Sequence, residues 1–123
     1  MAWLESIPTL DSRIRTVHLI KYRNGQYVVT EHSGRKDIVD FYGSEERIHQ
    51  FLTIAPAIMI GASGTVQDVV GNPELISVVY EKVIVVYVPV GENIIAVSIR
   101  HDAQNNVSGI AKKIREFARA HAK

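Results

Sequence analysis

The sequence predicts an α+β fold: a five-stranded antiparallel sheet covered by helices, in the order (α)-β-β-α-β-β-β-α. Three observations carry this. First, Asn24-Gly25 separates two runs rich in β-branched and aromatic residues, RTVHLIKY and QYVVTEH, and Asn-Gly in that setting is a strong short-range hairpin signal. Second, sixteen of the 25 residues from Leu75 to Ile99 are Val, Ile, Leu or Tyr, a composition that favours sheet over helix. Third, Val107, Ile110, Ala111, Ile114, Phe117, Ala118 and His121 recur at helical spacing, with Lys112, Lys113, Arg115, Glu116 and Arg119 on the other face.

Taken from the N-terminus, Trp3, Leu4, Ile7 and Leu10 have helix-like spacing, but Pro8 limits the segment to a short helix or ordered arm. Strand 1 is expected over Arg15–Tyr22 and strand 2 over Gln26–His32. Ser33-Gly34-Arg35-Lys36 reads as a polar connection. Ser44 before Glu45-Glu46 suits a helix N-terminus, where a hydroxyl caps free N–H groups and acids meet the positive dipole end. Ile48, Phe51, Leu52 and Ala55 then form one helical face, interrupted by Pro56, after which Ala57–Ile60 either continues the helix or leaves it. Gly61-Ala62-Ser63-Gly64 reads as a break, and Thr65–Val70 as a short turn closed by Gly71-Asn72-Pro73. Strands 3, 4 and 5 are expected over Leu75–Tyr80, Val83–Val90 and Ile94–Ile99, joined by Glu81-Lys82 and Gly91-Glu92-Asn93. Connections this short make the strands antiparallel neighbours. Strand 4 is apolar at every position, so both its faces should be covered. Asn105 or Asn106 is placed to cap the last helix.

Composition narrows the function classes. At 123 residues, with 46% apolar and 22% charged residues, the chain fits a single domain over 1–123 with a self-supporting core. The absence of Cys excludes disulfides, thiolate metal sites and Cys nucleophiles. A net charge of +1 argues against a strongly electrostatic nucleic-acid binder. The N-terminus has no basic stretch followed by a long apolar run, and the longest apolar run, Val83–Val90, is eight residues, against the roughly 20 a spanning helix needs. The expectation is a cytoplasmic protein without a membrane partner.

Chemical motifs are weak. Gly61-Ala62-Ser63-Gly64-Thr65 lacks the Gly-Lys-Ser/Thr ending of a phosphate loop and fits a helix exit. His18, His32, His49, His101 and His121 show no HxH or HExxH spacing and read as surface or boundary residues, so no metal is expected. His101 and Asp102 are adjacent, which on a strand would point them to opposite faces. Ser63, Ser98 and Ser108 have no nucleophile-elbow context. The cationic strip of the last helix reads as a solvated face, and Arg13, Arg15, Lys21, Arg23, Arg35 and Lys36 add positive charge around the first hairpin. No convergent acid, base or nucleophile supports an enzyme. Strand 3 differs: Leu75-Ile76-Ser77-Val78-Val79-Tyr80 carries neither charge nor Pro, and an apolar edge of that kind is a liability unless it is paired.

The element order, together with the stretch from Tyr80-Glu81-Lys82-Val83 through Pro89, Gly91-Glu92-Asn93, Ser98 and Asp102 to Ile110 and Ile114, resembles the roadblock family and the related longin and profilin-like folds. It also resembles small archaeal proteins of roadblock-like layout. The resemblance covers residues 12–120 in topology and 80–114 in motif. The chain departs from the family where a long first helix is expected, and at Pro56 and Gly61–Gly64. The resemblance implies a non-enzymatic, cofactor-free module that forms homodimers through the central helix and the edge of strand 3. Such modules act as scaffolds or regulators for partner proteins, small GTPases among them. Mapped here, that interface takes in Ile48, Phe51, Leu52, Ala55, Met59, Leu75, Ile76, Val78 and Tyr80. The rival reading is a small-molecule sensor of related architecture, which requires a pocket between sheet and helices.

Overall fold

The computed structural model describes residues 2–34, 46–54 and 65–121. The elements are α1 (Ala2–Ser6), a 3-10 turn (Ile7–Thr9), β1 (Ile14–Arg23), β2 (Gln26–Gly34), α2 (helical over 46–54), α3 (Gln67–Val70), β3 (Ile76–Val79), β4 (Ile84–Val90), β5 (Asn93–Ile99), a second 3-10 segment (His101–Asn106) and α4 (Val107–His121). The five strands form one antiparallel sheet in the order β2-β1-β5-β4-β3. This is the predicted α+β arrangement. The readings placed on Lys36, Ser44, Glu45, Pro56 and Gly61–Gly64 lie outside the described residues.

The hairpins follow from local chemistry. Asn24 and Gly25 both have positive φ, 52° and 82°, the requirement of a type I′ turn, whose twist matches that of the strands it joins. Gly91, at φ 60°, occupies the first central position between β4 and β5. Between β3 and β4 the Tyr80 N–H donates to the Val83 carbonyl at 2.9 Å and closes a four-residue turn.

Each face of the sheet has its own core. On one face Val17 and Leu19 of β1, Ile84, Val86 and Val88 of β4, and Ile95, Val97 and Ile99 of β5 pack against Ile110, Ala111, Ile114 and Ala118 of α4 and against Leu4 and Ile7. On the other, Ile20, Val85, Tyr87, Ile94 and Ala96 pack against Ile48 and Leu52 of α2. β4 thus contributes to both cores, as its unbroken apolar run requires.

Two expectations need correction. Neither Asn105 nor Asn106 caps α4: the helical run begins at His101 as a 3-10 segment and passes directly into α-helix at Val107, whose backbone is already α-helical. The N-cap position of that run is Arg100, in extended conformation and without a side-chain cap. His101 and Asp102 therefore lie in a helical segment and not on a strand, and Asp102 pairs with the Arg100 guanidinium.

Two irregularities in the ladder set which residues share a face. Between Leu19 and Ile20 the β1–β2 register slips from Leu19↔Glu31 to Ile20↔Val29, so Thr30 is an extra residue in β2. Its hydroxyl donates to the Leu19 carbonyl at 3.4 Å. A second slip, between Ile14 and Thr16 of β1 against β5, makes Arg15 the extra residue there. A bulge reverses the inside–outside alternation beyond it.

Candidate functional site

The β3 edge is the first candidate. β3 pairs with β4 on one side and, among the described residues, is the terminal strand of the sheet. Ile76 packs into the core beneath α2 and Leu75 against the α4 core, while Val78 is half-buried. Val79 and Tyr80 are 45% and 40% exposed, and Ile54 on α2 is 59% exposed. Phe51 of α2 lies with its ring centre 5.4 Å from that of Tyr80. The apolar edge therefore runs continuously from β3 onto α2. Of the residues the resemblance assigns to an interface, Ile48 and Leu52 are buried against this chain's own sheet. Phe51, Val78 and Tyr80 lie at the outer margin, and Ala55 and Met59 fall outside the described residues. The short α3 exposes Val69 and Val70.

The second feature was not legible in the sequence. His18, expected at a surface or boundary, is buried at 6% exposure. Its β1 position pairs with His32 of β2. The ring centres of His18 and His32 are 5.7 Å apart, those of His18 and His49 of α2 are 6.1 Å apart, and those of His32 and His49 are 5.9 Å apart. Three histidines from three elements thus form a nearly equilateral triangle, with His49 half-buried and His32 open to solvent. The Nδ1 atom of His18 is buried without a hydrogen-bond partner. Burial, with the neighbouring His32 and His49 charges adding to it, pushes the His18 pKa down to about 4, so the ring is neutral at pH 7. The buried polar residues Thr16 and Ser98 pair with each other two residues along from His18 and its β5 neighbour Ala96, so they share this face of the sheet.

A third feature is an open cleft of about 810 Å³ at the tips of the β1–β2 and β4–β5 hairpins. Tyr22, Tyr27, Glu74, Glu92, Arg115 and Arg119 are among its lining residues. The Arg115 guanidinium donates to the Glu74 carbonyl and ties α4 to the loop before β3. On the rest of the α4 strip, Lys112, Lys113 and Arg119 are exposed, as expected of a solvated face. Arg13 does not stand free: its Nε and Nη2 donate to the Asp11 carboxylate, each at 2.9 Å.

Neither a protein-family model nor a curated protein matches the sequence. Solved structures do match the fold. A Roadblock/LC7 domain from Streptomyces avermitilis aligns with a TM-score of 0.55 at 11% identity, covering 97% of this chain and 98% of that one. The protein MglB of Myxococcus xanthus aligns with a TM-score of 0.57 at 15% identity, covering 97% of this chain and 94% of that one. The fold is roadblock-like. Coverage this complete in both chains means that the likeness extends over the whole described fold and is not confined to one part of it. Identities of 11% and 15% carry the architecture only. Among the described residues, no helix is long and apolar enough to cross a membrane.

Proposed function

We propose that this roadblock-like chain is a non-enzymatic dimerising interaction module of the cytoplasm. Two copies pair through the β3 edge and the adjoining surface of α2, and the dimer serves as scaffold or regulator of a partner protein. The observation that carries this is the uncharged β3 edge, continuous through Tyr80 and Phe51 with α2. Unpaired N–H and C=O groups on such an edge are a template for another strand, and monomers blunt such edges with charge, Pro or bulges. Within the described β3 none of these is present. Ile48 and Leu52 hold α2 to the sheet from behind, while Phe51, Val78, Val79 and Tyr80 supply the contact. A small GTPase is the partner class that the family resemblance suggests.

Light scattering coupled to size exclusion, across a concentration series, tests the pairing. The expected mass is near twice 13.7 kDa, and Val78→Lys and Val79→Lys should each return it to the monomer value with the circular dichroism of a folded chain. These two side chains project to opposite faces of the strand, so loss of pairing in both identifies the edge itself. A monomer at every concentration would overturn the reading.

The cleft at the hairpin tips favours one second reading, a small-molecule sensor. Its Tyr22, Tyr27, Arg115 and Arg119 suit a flat anionic ligand. A thermal-shift screen with nucleotides and carboxylates, raising Tm in wild type and not in Arg119→Ala, is the result this reading requires.

A further inference from the structure

We propose that His18, His32 and His49 form a binding site for a single divalent transition-metal ion of the Zn2+ class, which clamps α2 to the β1–β2 hairpin. The argument starts from the ring positions. An imidazole bound to Zn2+ at about 2.0–2.1 Å has its ring centre about 3.2 Å from the metal. Two such rings on one tetrahedral ion have centres about 5.2 Å apart, and on a trigonal one about 5.5 Å. The observed separations are 5.7, 6.1 and 5.9 Å. All three pairs are thus within about 1 Å of the spacing that shared ligation demands.

As the rings stand, no three metal-ligating side chains among the described residues are set to hold an ion. A ligating arrangement differs from the present one in ring orientation and in ring spacing. The Cβ–Cγ axis passes close to the ring centre, so rotation about χ2 turns the nitrogens while the centre stays in place. That torsion is broad and nearly two-fold. Ligation therefore asks for rotation about the three χ2 torsions and for the ring centres, which two paired strands and a helix hold, to draw together by about 0.2–0.9 Å.

The chemistry of the donor set agrees. Three neutral imidazoles suit Zn2+, Co2+, Ni2+ or Cu2+ and not Mg2+ or Ca2+, which take oxygen ligands. A buried imidazole nitrogen without a partner is unfavourable, and His18 Nδ1 is such an atom. A metal would satisfy it. The site is buried on its His18 side and open on its His32 side, which supplies an entry path and leaves room for water at the remaining coordination position. Three ligands on three elements, separated by 14 and 17 residues, also close the chain around the ion, so metal binding stabilises the fold by mass action.

The test uses the full chain, free of any affinity tag and stripped with a chelator. Zn2+ is titrated by calorimetry, and Co2+ by visible absorption, whose bands report low-coordinate nitrogen ligation. The expected result is one ion per chain, an intense Co2+ spectrum, displacement of Co2+ by Zn2+, and a Tm raised by Zn2+. His32→Gln and His49→Gln each weaken binding more than about tenfold and abolish the Tm rise. Both positions are at least partly open to solvent, so both variants retain the fold, as circular dichroism will show. His121→Gln, whose ring stacks on Phe117 away from the cluster, binds as wild type does. Absence of saturable binding at about 0.1 mM Zn2+, or unchanged binding in His32→Gln and His49→Gln, would overturn the proposal.

Discussion

Thr16 and Ser98 offer a sharp test of how the sheet tolerates polar groups. Their hydroxyl oxygens lie 2.5 Å apart across β1 and β5, and the residues are only 6% and 4% exposed. A buried hydrogen bond contributes about 1 kcal/mol net, and a hydroxyl left without its partner costs about 1–3 kcal/mol. Thr16→Val preserves the side-chain shape and orphans Ser98; Ser98→Ala orphans Thr16. Each single substitution should therefore destabilise by about 2 kcal/mol. The double variant removes both hydroxyls and leaves no orphan, so its cost should be under about 1 kcal/mol. The coupling between the sites is then about 3 kcal/mol, far above the roughly 0.5 kcal/mol within which independent sites add. Urea unfolding at one fixed protein concentration measures this, because dimerisation would otherwise shift the midpoints by mass action. In a domain of this size each single variant should lower Tm by about 8 °C, and the double variant should recover most of that loss. Additive single effects, with the double variant near 4 kcal/mol, would refute the reasoning. They would mean that each hydroxyl finds another partner once the first is gone.

The Asp11 carboxylate is held at a pKa of about 2, first by the side-chain hydrogen bond from Arg13 and then by its backbone N–H. The folded value lies below the unfolded one, so its stabilisation, up to about 2 kcal/mol, is present above pH 4 and is lost as pH falls through 2. Asp11→Asn should lower stability at pH 7, and the gap to wild type should close toward pH 2; a pH-independent difference in urea midpoints would contradict this. Leu52→Ala removes a 4% exposed side chain that seats α2 on the sheet, at an expected cost of about 2–5 kcal/mol. Hydrogen exchange should then speed up in 46–54 before it does in α4, and uniform acceleration would contradict the separation into two cores.

The two faces of the sheet play different parts. Among the described residues, the α4 face holds a core cluster of sixteen buried apolar residues. On the α2 face the described core cluster has seven, and the buried polar residues Thr16, His18 and Ser98 sit toward one end. α2 spans two margins of that face. Its Phe51 reaches Tyr80 at the β3 side, and its His49 reaches His18 and His32 at the hairpin side.

How far the residues alone could carry the reading depends on whether local rules or bulges decided each position. The hairpin at Asn24-Gly25, the three-strand meander from Leu75 to Ile99 and the amphipathic face of α4 were all legible, because turn chemistry and hydrophobic period are local. The strand bounds differ from expectation by a residue or two at their ends. Burial beside β3 was legible in part: an uncharged run marked β3 and Tyr80, but helical spacing could not tell Ile48 and Leu52, which face the sheet, from Phe51, which lies at the rim. The histidine cluster was not legible, and the reason is specific. Strict alternation along β2 places Tyr27, Val29 and Glu31 on one face and sends His32 to the other. Thr30, the extra residue, reverses that alternation, so His32 and not Glu31 turns toward α2. Nothing in QYVVTEH marks Thr30 as a bulge, since it is β-branched and well suited to a strand. The one signal available was the cross-strand pairing itself. A hairpin closed by Asn24-Gly25 with an unbroken ladder would set position 18 opposite 31; one extra residue sets it opposite 32, and His18 then finds a histidine where it would otherwise have found a carboxylate.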